Sequence, residues 1–219
     1  MAVNVKKYQL PPTALVPNSP KSLLHYPAFF KESEYTPKHV YSILKGNGWR
    51  ARWLVRYGRN QVSHYHSGVH ECMVVLSGSA KILFGVADLG DEGEHGSGES
   101  MVPEEGGLLL EAHVGDVFIL PAGLAHKTHH PNPAAELLRL SPGDGHDVSD
   151  EDMEAAMGKI QLSGFTMLGA YPKKGNDWDF ALGGAHEGRY EEVWSVPNPE
   201  LDPVLGNSEY GLCTHWRSE

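Results

Sequence analysis

Cysteine is nearly missing from this chain of 219 residues: Cys72 and Cys213 stand far apart and form no CxxC pair. Two isolated thiols exclude a disulfide framework and fit a reducing compartment. No apolar run approaches the length that spans a bilayer. The segment MAVNVKKYQLPPTALVPNSP has no apolar stretch ahead of its prolines, so no signal peptide is expected and the cytoplasm is the expected location. Basic charge is short as well, with 18 Lys and Arg against 28 Asp and Glu and a net charge of −10. That balance excludes the basic footprint of a nucleic-acid or anionic-membrane partner and reads as solubility. No nucleophile elbow, P-loop or dinucleotide fingerprint occurs in a supporting context.

What is present reads as one β-rich domain, long enough to bury a substantial core. Residues 1–35 carry prolines at 11, 12, 17, 20 and 27, which discourage a long helix or central strand. Thr36-Pro37 begins a short helix, with Thr36 as N-cap, Val40, Ile43 and Leu44 at helical spacing, and Gly46 or Gly48 as its end. From Trp49 the chain turns to short strands divided by glycines, over 51–57, 61–66, 72–77, 79–84, 108–113, 116–120, 125–130, 136–141 and 165–171. Ser77-Gly78 is a hairpin turn, and the close spacing of strands implies a sandwich or barrel. Two segments break the rhythm. Residues 86–107 are acidic and glycine-rich, a loop inserted in a hairpin. Residues 142–162 hold a loop and a helix opened by Ser149, with Asp152 three residues on in a capping-box arrangement. That helix is either a lid or surface decoration.

The chemistry gathers between Gly58 and Gly78, in GRNQVSHYHSGVHECMVVLSG. Alternate side chains share a face of a strand, so His64 and His66 point the same way, and Glu71 enters the next strand. Two imidazoles and a carboxylate make half of a metal cage. The second half is found in Gly115-DVFIL-Pro121-Ala-Gly123-LA-His126, where His126 begins a returning strand. Three imidazoles and one carboxylate suit a divalent transition metal, Fe, Mn, Ni, Cu or Zn, over Mg or Ca. They leave two positions of an octahedral ion for substrate, water or dioxygen.

These residues resemble a known family. Gly58-x5-His64-x-His66-x4-Glu71-x6-Gly78 matches the first cupin motif, and Gly115-x5-Pro121-x-Gly123-x2-His126 the second, with His130 where cupins often carry asparagine. The resemblance implies His64, His66, Glu71 and His126 as metal ligands. It also implies an all-β fold, the double-stranded β-helix or jelly-roll barrel, with a few short peripheral helices. Six residues between Glu71 and Gly78 select Glu71 over His70 as the ligand. VPNSP, NGWR at 47–50, HYHSGVHE at 64–71, PAGLAHK at 121–127, GAYP at 169–172 and DWD at 177–179 extend the resemblance to the single-domain, YjlB-like cupins. On that reading residues 1–47 are an N-terminal packing arm and helix. The barrel occupies 48–141 and 163–180, interrupted by insertions at 86–107 and 142–162, and 181–219 is a tail packed on it. A homodimer is expected from the resemblance.

Several residues carry a bland reading beside a functional one. Period-two counting puts His130 inside with His126, as a proton shuttle or a solvated histidine, and His129 outside. His70 reads as a partner of the ligand residues or an outer-face residue, with a ligand role as the lesser alternative, while His95 and His146 lie in loops with no specific role. Trp49, Trp53, Tyr57, Phe84 and Phe118 read as core or barrel wall, and Cys72 as a buried inert thiol. Tyr171, Asp177, Trp178 and Asp179 read chiefly as a structural clasp, with Tyr171 or an aspartate bordering the barrel mouth as the alternative. Arg50, Arg52 and Arg56 share a parity, on an anion-binding face or, preferably, a solvated outer one. The function expected is a metal-dependent enzyme acting on a small molecule, with Fe(II) favoured and dioxygenase chemistry leading. Isomerase, cyclase or decarboxylase chemistry, with Glu71 or His130 moving a proton, and a non-catalytic binding cupin are the alternatives.

Overall fold

A computed structural model describes residues 3–59, 61–90 and 102–217. The N-terminal part forms β1 (Lys6–Tyr8), β2 (Leu23–Tyr26) and α1 (Pro37–Gly46), followed by β3 (Trp49–Arg56). Next come β4 (Glu71–Ser77), β5 (Ser79–Phe84), the two-residue pair β6 (Asp88–Leu89) and β7 (Val102–Pro103), and β8 (Leu108–His113). Then follow β9 (Val117–Leu120), β10 (His126–Asn132), β11 (Leu138–Arg139), α2 (Asp150–Met157) and β12 (Thr166–Pro172). Two short helices, α3 (Tyr190–Trp194) and α4 (Leu212–His215), lie in the tail.

A seven-stranded antiparallel sheet, in the order β1-β2-β9-β4-β12-β3-β11, faces a three-stranded sheet, β10-β5-β8. Their facing sides bury one core: Trp53, Met73, Val75, Phe118, Leu120 and Met167 from the larger sheet, Ala80, Ile82, Phe84 and Ala112 from the smaller. This is the jelly-roll barrel of the cupin fold, with short helices only at its periphery. The outer face of the larger sheet is buried too. Cys72, Val74, Leu76, Ile119, Leu54 and Leu168 pack there under Val40, Tyr41 and Leu44 of α1, Met153 and Met157 of α2, and Trp216 of the tail. Every β4 residue from Glu71 to Leu76 is therefore buried, and its sequence is a continuous apolar run because alternate side chains serve two cores. Each fully buried side chain of leucine or valine size contributes about 1.5–3 kcal/mol.

The local signals hold at the helices. Thr36 Oγ1 accepts from His39 N at 3.3 Å, and Ser149 Oγ accepts from Asp152 N at 3.0 Å while donating to Asp152 Oδ2 at 2.8 Å. Three expectations change. The stretch Leu23–Tyr26 lies between prolines and forms a strand in the large sheet, paired with β1 and β9. The expected strand 61–66 is reduced to isolated bridges, His64 with His126 and Tyr65 with Ala181. The helix of the 142–162 insertion packs against α1, with Tyr41 Oη donating to Asp150 O and Lys45 pairing with Glu154, so it is no lid. The three β3 arginines, half-buried, are engaged by this insertion and its flanks: Arg50 on Asp150, Arg52 on His146 O, Arg56 on Glu136 O and Ser163 Oγ. His95 lies outside the described residues.

Two positions carry the packing that supports the interior. Asp202, fully buried, accepts from Tyr26 Oη (2.6 Å), Val204 N, Leu205 N and Leu212 N (2.7–2.9 Å), fastening the tail to the sheet. Gly169 of β12 lies under the Trp53 indole, where a Cβ would meet Trp53 Cε2 at 1.9 Å.

Asp202→Ala leaves four donors without their acceptor and is expected to cost about 2–4 kcal/mol, a fall in Tm of roughly 5–15 °C for a chain of this length. Gly169→Ala expels the Trp53 indole from its seat. It is expected to cost about 2–3 kcal/mol and to change the near-UV circular dichroism, whereas an unchanged spectrum would contradict this packing.

Candidate metal centre

His64 and His126 stand opposite each other in an antiparallel bridge, His64 N donating to His126 O (3.2 Å) and His126 N to His64 O (2.9 Å). Directly opposed residues carry their side chains on one face, and the two rings lie 4.4 Å apart. Tyr65, between the histidines, bonds the other way, to Ala181, and buries its ring outside the cluster. His66 then returns to the interior. Gly123, at φ +86°, makes the turn that brings its N–H to His66 O at 2.8 Å; a Cβ there would strike Asn18 O at 2.6 Å. One ligating atom from each of His64, His66 and His126 lies within 4.8 Å of the other two.

The outer nitrogens decide the tautomers. His64 Nδ1 meets Val62 O at 3.1 Å, His126 Nδ1 meets Leu124 O at 3.2 Å, and His66 Nδ1 meets Asp179 O. A carbonyl only accepts, so each Nδ1 carries the proton and each neutral ring directs the lone pair of Nε2 inward. Glu71, the first residue of β4, completes the group. Its Oε1 lies 3.3 Å from His66 Nε2, and its Oε2 lies 3.3 Å from His126 Nε2. Oε1 also accepts from Tyr171 Oη at 2.7 Å, while the buried Oε2 has no hydrogen-bond partner among the described residues.

Burial alone would raise the Glu71 carboxyl, yet His66, His126 and Tyr171 hold it down at about 2. For His66, burial lowers the pKa but the Glu71 carboxylate turns the balance upward. Burial and the neighbouring imidazoles drive His64 well below the ordinary range. His126 is lowered too, by burial first, against an opposing pull from Glu71. One proton can therefore sit between His66 and Glu71, but the remaining acceptors still face one another. A divalent transition metal fits this donor set, three imidazole Nε2 atoms and the unpartnered Oε2.

A second layer supports the ligands. Tyr171 Oη accepts from Trp53 Nε1 at 2.9 Å and lies 3.3 Å from His66 Nε2. Trp178 meets His66 edge-on at 5.9 Å and stacks on Tyr171. Asp179, besides its carbonyl on His66, accepts from Ser67 N and Oγ, both at 2.7 Å. Phe180, 55% exposed, stacks on His64 at 3.9 Å. His146, expected to do nothing specific, stacks on Trp178 at 4.3 Å and meets Asp177 at 2.9 Å.

His70 faces away from Glu71, as adjacent strand residues must. Its Nδ1 accepts from Ala122 N and its Nε2 donates to Pro197 O; burial, then Lys21, pushes it down to about 3. His130 is not brought to the cluster. β10 keeps register with β5 as far as His129↔Lys81 and then shifts to Asn132↔Ser79. His130 sits in that irregularity at φ +50°, exposed, so period-two counting from His126 fails there. Tyr171 reaches into the site as well as clasping the strand end. Its parity with Met167 and Gly169 on β12 is the signal that sends it inward, whereas the carbonyl of Asp179 leaves no mark in a sequence. A separate cleft of ≈ 730 Å³ lies beneath the tail, between Ser67–His70, Lys173–Asn176 and Val196–Leu201, and none of the three clustered histidines lines it.

No family model matches the chain. The uncharacterized protein YjlB of Bacillus subtilis strain 168 is 27% identical over 199 residues, spanning 83% of this chain and 90% of YjlB. Among solved structures, RmlC from Streptococcus suis in complex with dTDP-D-xylose aligns over 82% of this chain and 76% of its own, with 9% identity and a TM-score of 0.35. The non-heme alpha-ketoglutarate dependent epimerase SnoN from nogalamycin biosynthesis aligns over 93% and 78%, with 11% identity and a TM-score of 0.30. The chain spans only 22% of an 11S globulin from Wrightia tinctoria (14% identity over 59% of this chain, TM-score 0.30). These superpositions are loose, and the assignment of the barrel rests on its topology. The likeness to YjlB runs along most of both chains, and the barrel that gathers the three histidines is of the cupin type.

Proposed function

We propose that this protein is a metal-dependent enzyme acting on a small organic molecule, with an oxygenase-type reaction at a centre formed by His64, His66, His126 and Glu71. The observation that supports it is the gathering of three imidazoles, one ligating atom of each within 4.8 Å of the others, with a buried carboxylate oxygen 3.3 Å from His126 Nε2 that has no hydrogen-bond partner among the described residues. A bound divalent metal, Fe(II) favoured over Mn, Ni, Cu or Zn, would supply Lewis-acid polarisation of substrate oxygens and a site for dioxygen.

The chain supplies the remainder. Backbone carbonyls at 62, 124 and 179 orient the three imidazoles. Trp53 Nε1 directs the Tyr171 hydroxyl so that its own proton points at Glu71 Oε1. The Tyr171–Glu71 pair is thus where a proton is held and can be passed to a bound molecule, the step an isomerase, cyclase or decarboxylase on this centre would also need. Trp178 walls His66 from solvent, and the half-exposed Phe180 marks the open side at His64.

Purified protein is expected to hold about one divalent transition metal per chain, measured by elemental analysis. The double substitution His64→Ala plus His126→Ala is expected to abolish that metal while the far-UV spectrum stays native. With Fe(II) loaded, oxygen uptake across a panel of small substrates tests the reaction class; a protein that takes up no metal from any of the five salts would overturn the proposal. Tyr171→Phe keeps the ring and removes the donor to Oε1. It is expected to weaken metal binding about tenfold or more with little loss of Tm, read by calorimetric titration and by the line shape of bound Mn(II).

A further inference from the structure

A metal centre made of neutral imidazoles and one carboxylate gives an anionic molecule nothing to dock against except the ion. A second, positively charged contact therefore bears on which molecules enter. The three arginines of β3 are engaged by the 142–162 insertion and its flanks. Arg139, on β11, is different. Among the described residues it has no carboxylate partner, and its single hydrogen bond, Nη1 to Arg52 O, is stretched to 3.5 Å. A guanidinium offers five donors in a planar fork, so most of that capacity is uncommitted while the residue is half-buried.

Its position aims it at the barrel interior. Arg139 stands directly opposite Val55, and opposed residues of an antiparallel pair share a face. Val55 and Tyr57 both pack against the interior core. The guanidinium and the Trp178 ring border the same point beside Gly145, where a Cβ would meet Trp178 Cζ2 at 3.2 Å and Arg139 Nη1 at 3.4 Å. Trp178 is the residue that stands edge-on to His66. Tyr57, packed on Trp53 and Phe165, has no hydrogen-bond partner for its hydroxyl among the described residues. Two residues past Val55, Tyr57 is the diagonal cross-strand neighbour of Arg139 on that face, and its hydroxyl is raised above its ordinary range by burial first and then by Glu71, against an opposing pull from Arg139.

We infer that Arg139 and Tyr57 form a carboxylate-binding subsite beside the metal centre, and that the substrate is a small organic acid whose carboxylate is held there while its reacting end reaches His64, His66 and His126. A planar carboxylate matches the guanidinium fork with two parallel hydrogen bonds, and the Tyr57 hydroxyl adds a third donor. This rests on the proposed metal-dependent function and goes further by naming the class of substrate.

The test compares benzoate with benzamide, equal in shape and different in charge, by calorimetric titration of the full chain with and without bound metal. The wild type is expected to prefer benzoate by about tenfold or more, in line with a charge-assisted pair. Arg139→Met is expected to bring the two within twofold, Arg139→Lys to keep part of the preference, and Tyr57→Phe to weaken benzoate several-fold. Metal affinity and Tm should stay near wild type in all three, which separates loss of the subsite from loss of the fold. No preference in the wild type, a preference surviving in Arg139→Met, or displacement of benzoate by inorganic phosphate at equal affinity would overturn the inference. A protein that refuses metal yet keeps an Arg139-dependent preference overturns the metal-dependent function and leaves the subsite standing. One that loads metal without any preference does the reverse.

Discussion

Between Glu71 Oε2 and His126 Nε2 there are 3.3 Å and, in the neutral tautomer that Leu124 O enforces, two facing lone pairs. Such a contact is favourable only with a cation in it. A proton resolves the parallel contact between Glu71 and His66, where the carboxylate raises the imidazole, but burial and mutual repulsion work against protonating the other two rings. The architecture around the site serves to keep that arrangement from relaxing. β4 is covered on both faces, so Glu71 cannot swing to water, and each imidazole is fixed from behind by a backbone carbonyl that tolerates only one tautomer.

The support of the site comes largely from outside the two motifs. Tyr171, Trp178, Asp179 and Phe180 all follow or end the last barrel strand, and they touch His66, His64 or Glu71 directly. The outer core matters in the same way. Cys72 lies between Glu71 and Met73, so its packing against α1 and the tail sets the register of the carboxylate on the opposite face. Asp202 closes that outer layer from below by joining the tail to Tyr26, whose hydroxyl is raised far beyond its usual range by burial and then by Asp202 itself.

Much of this was legible in the amino-acid order. The grouping of His64, His66 and His126 followed from strand alternation and paired glycine turns, and both helix starts followed from their capping residues. The misreadings share a cause. Counting in twos places His130 inside, across a register shift that no residue type announces. Alternation over 61–66 predicts a strand, but its backbone pairs with two distant partners at single points and no continuous ladder forms among the described residues. His146 carries no specific role on its loop pattern, yet it stacks on Trp178 and meets Asp177, 31 residues further along the chain. Local pattern reports local geometry, and the closing of a barrel is not local.

The bridge that ties Tyr65 to Ala181, together with the Asp179 carbonyl on His66, has a consequence for the making of the protein. The contact from His66 to Asp179 spans 113 residues, and the one from Glu71 to Tyr171 spans 100. During synthesis both motifs leave the ribosome well before the segment that orients them, and contacts of such long range form late in folding. The three imidazoles are held in one orientation only when the last fifth of the chain has arrived.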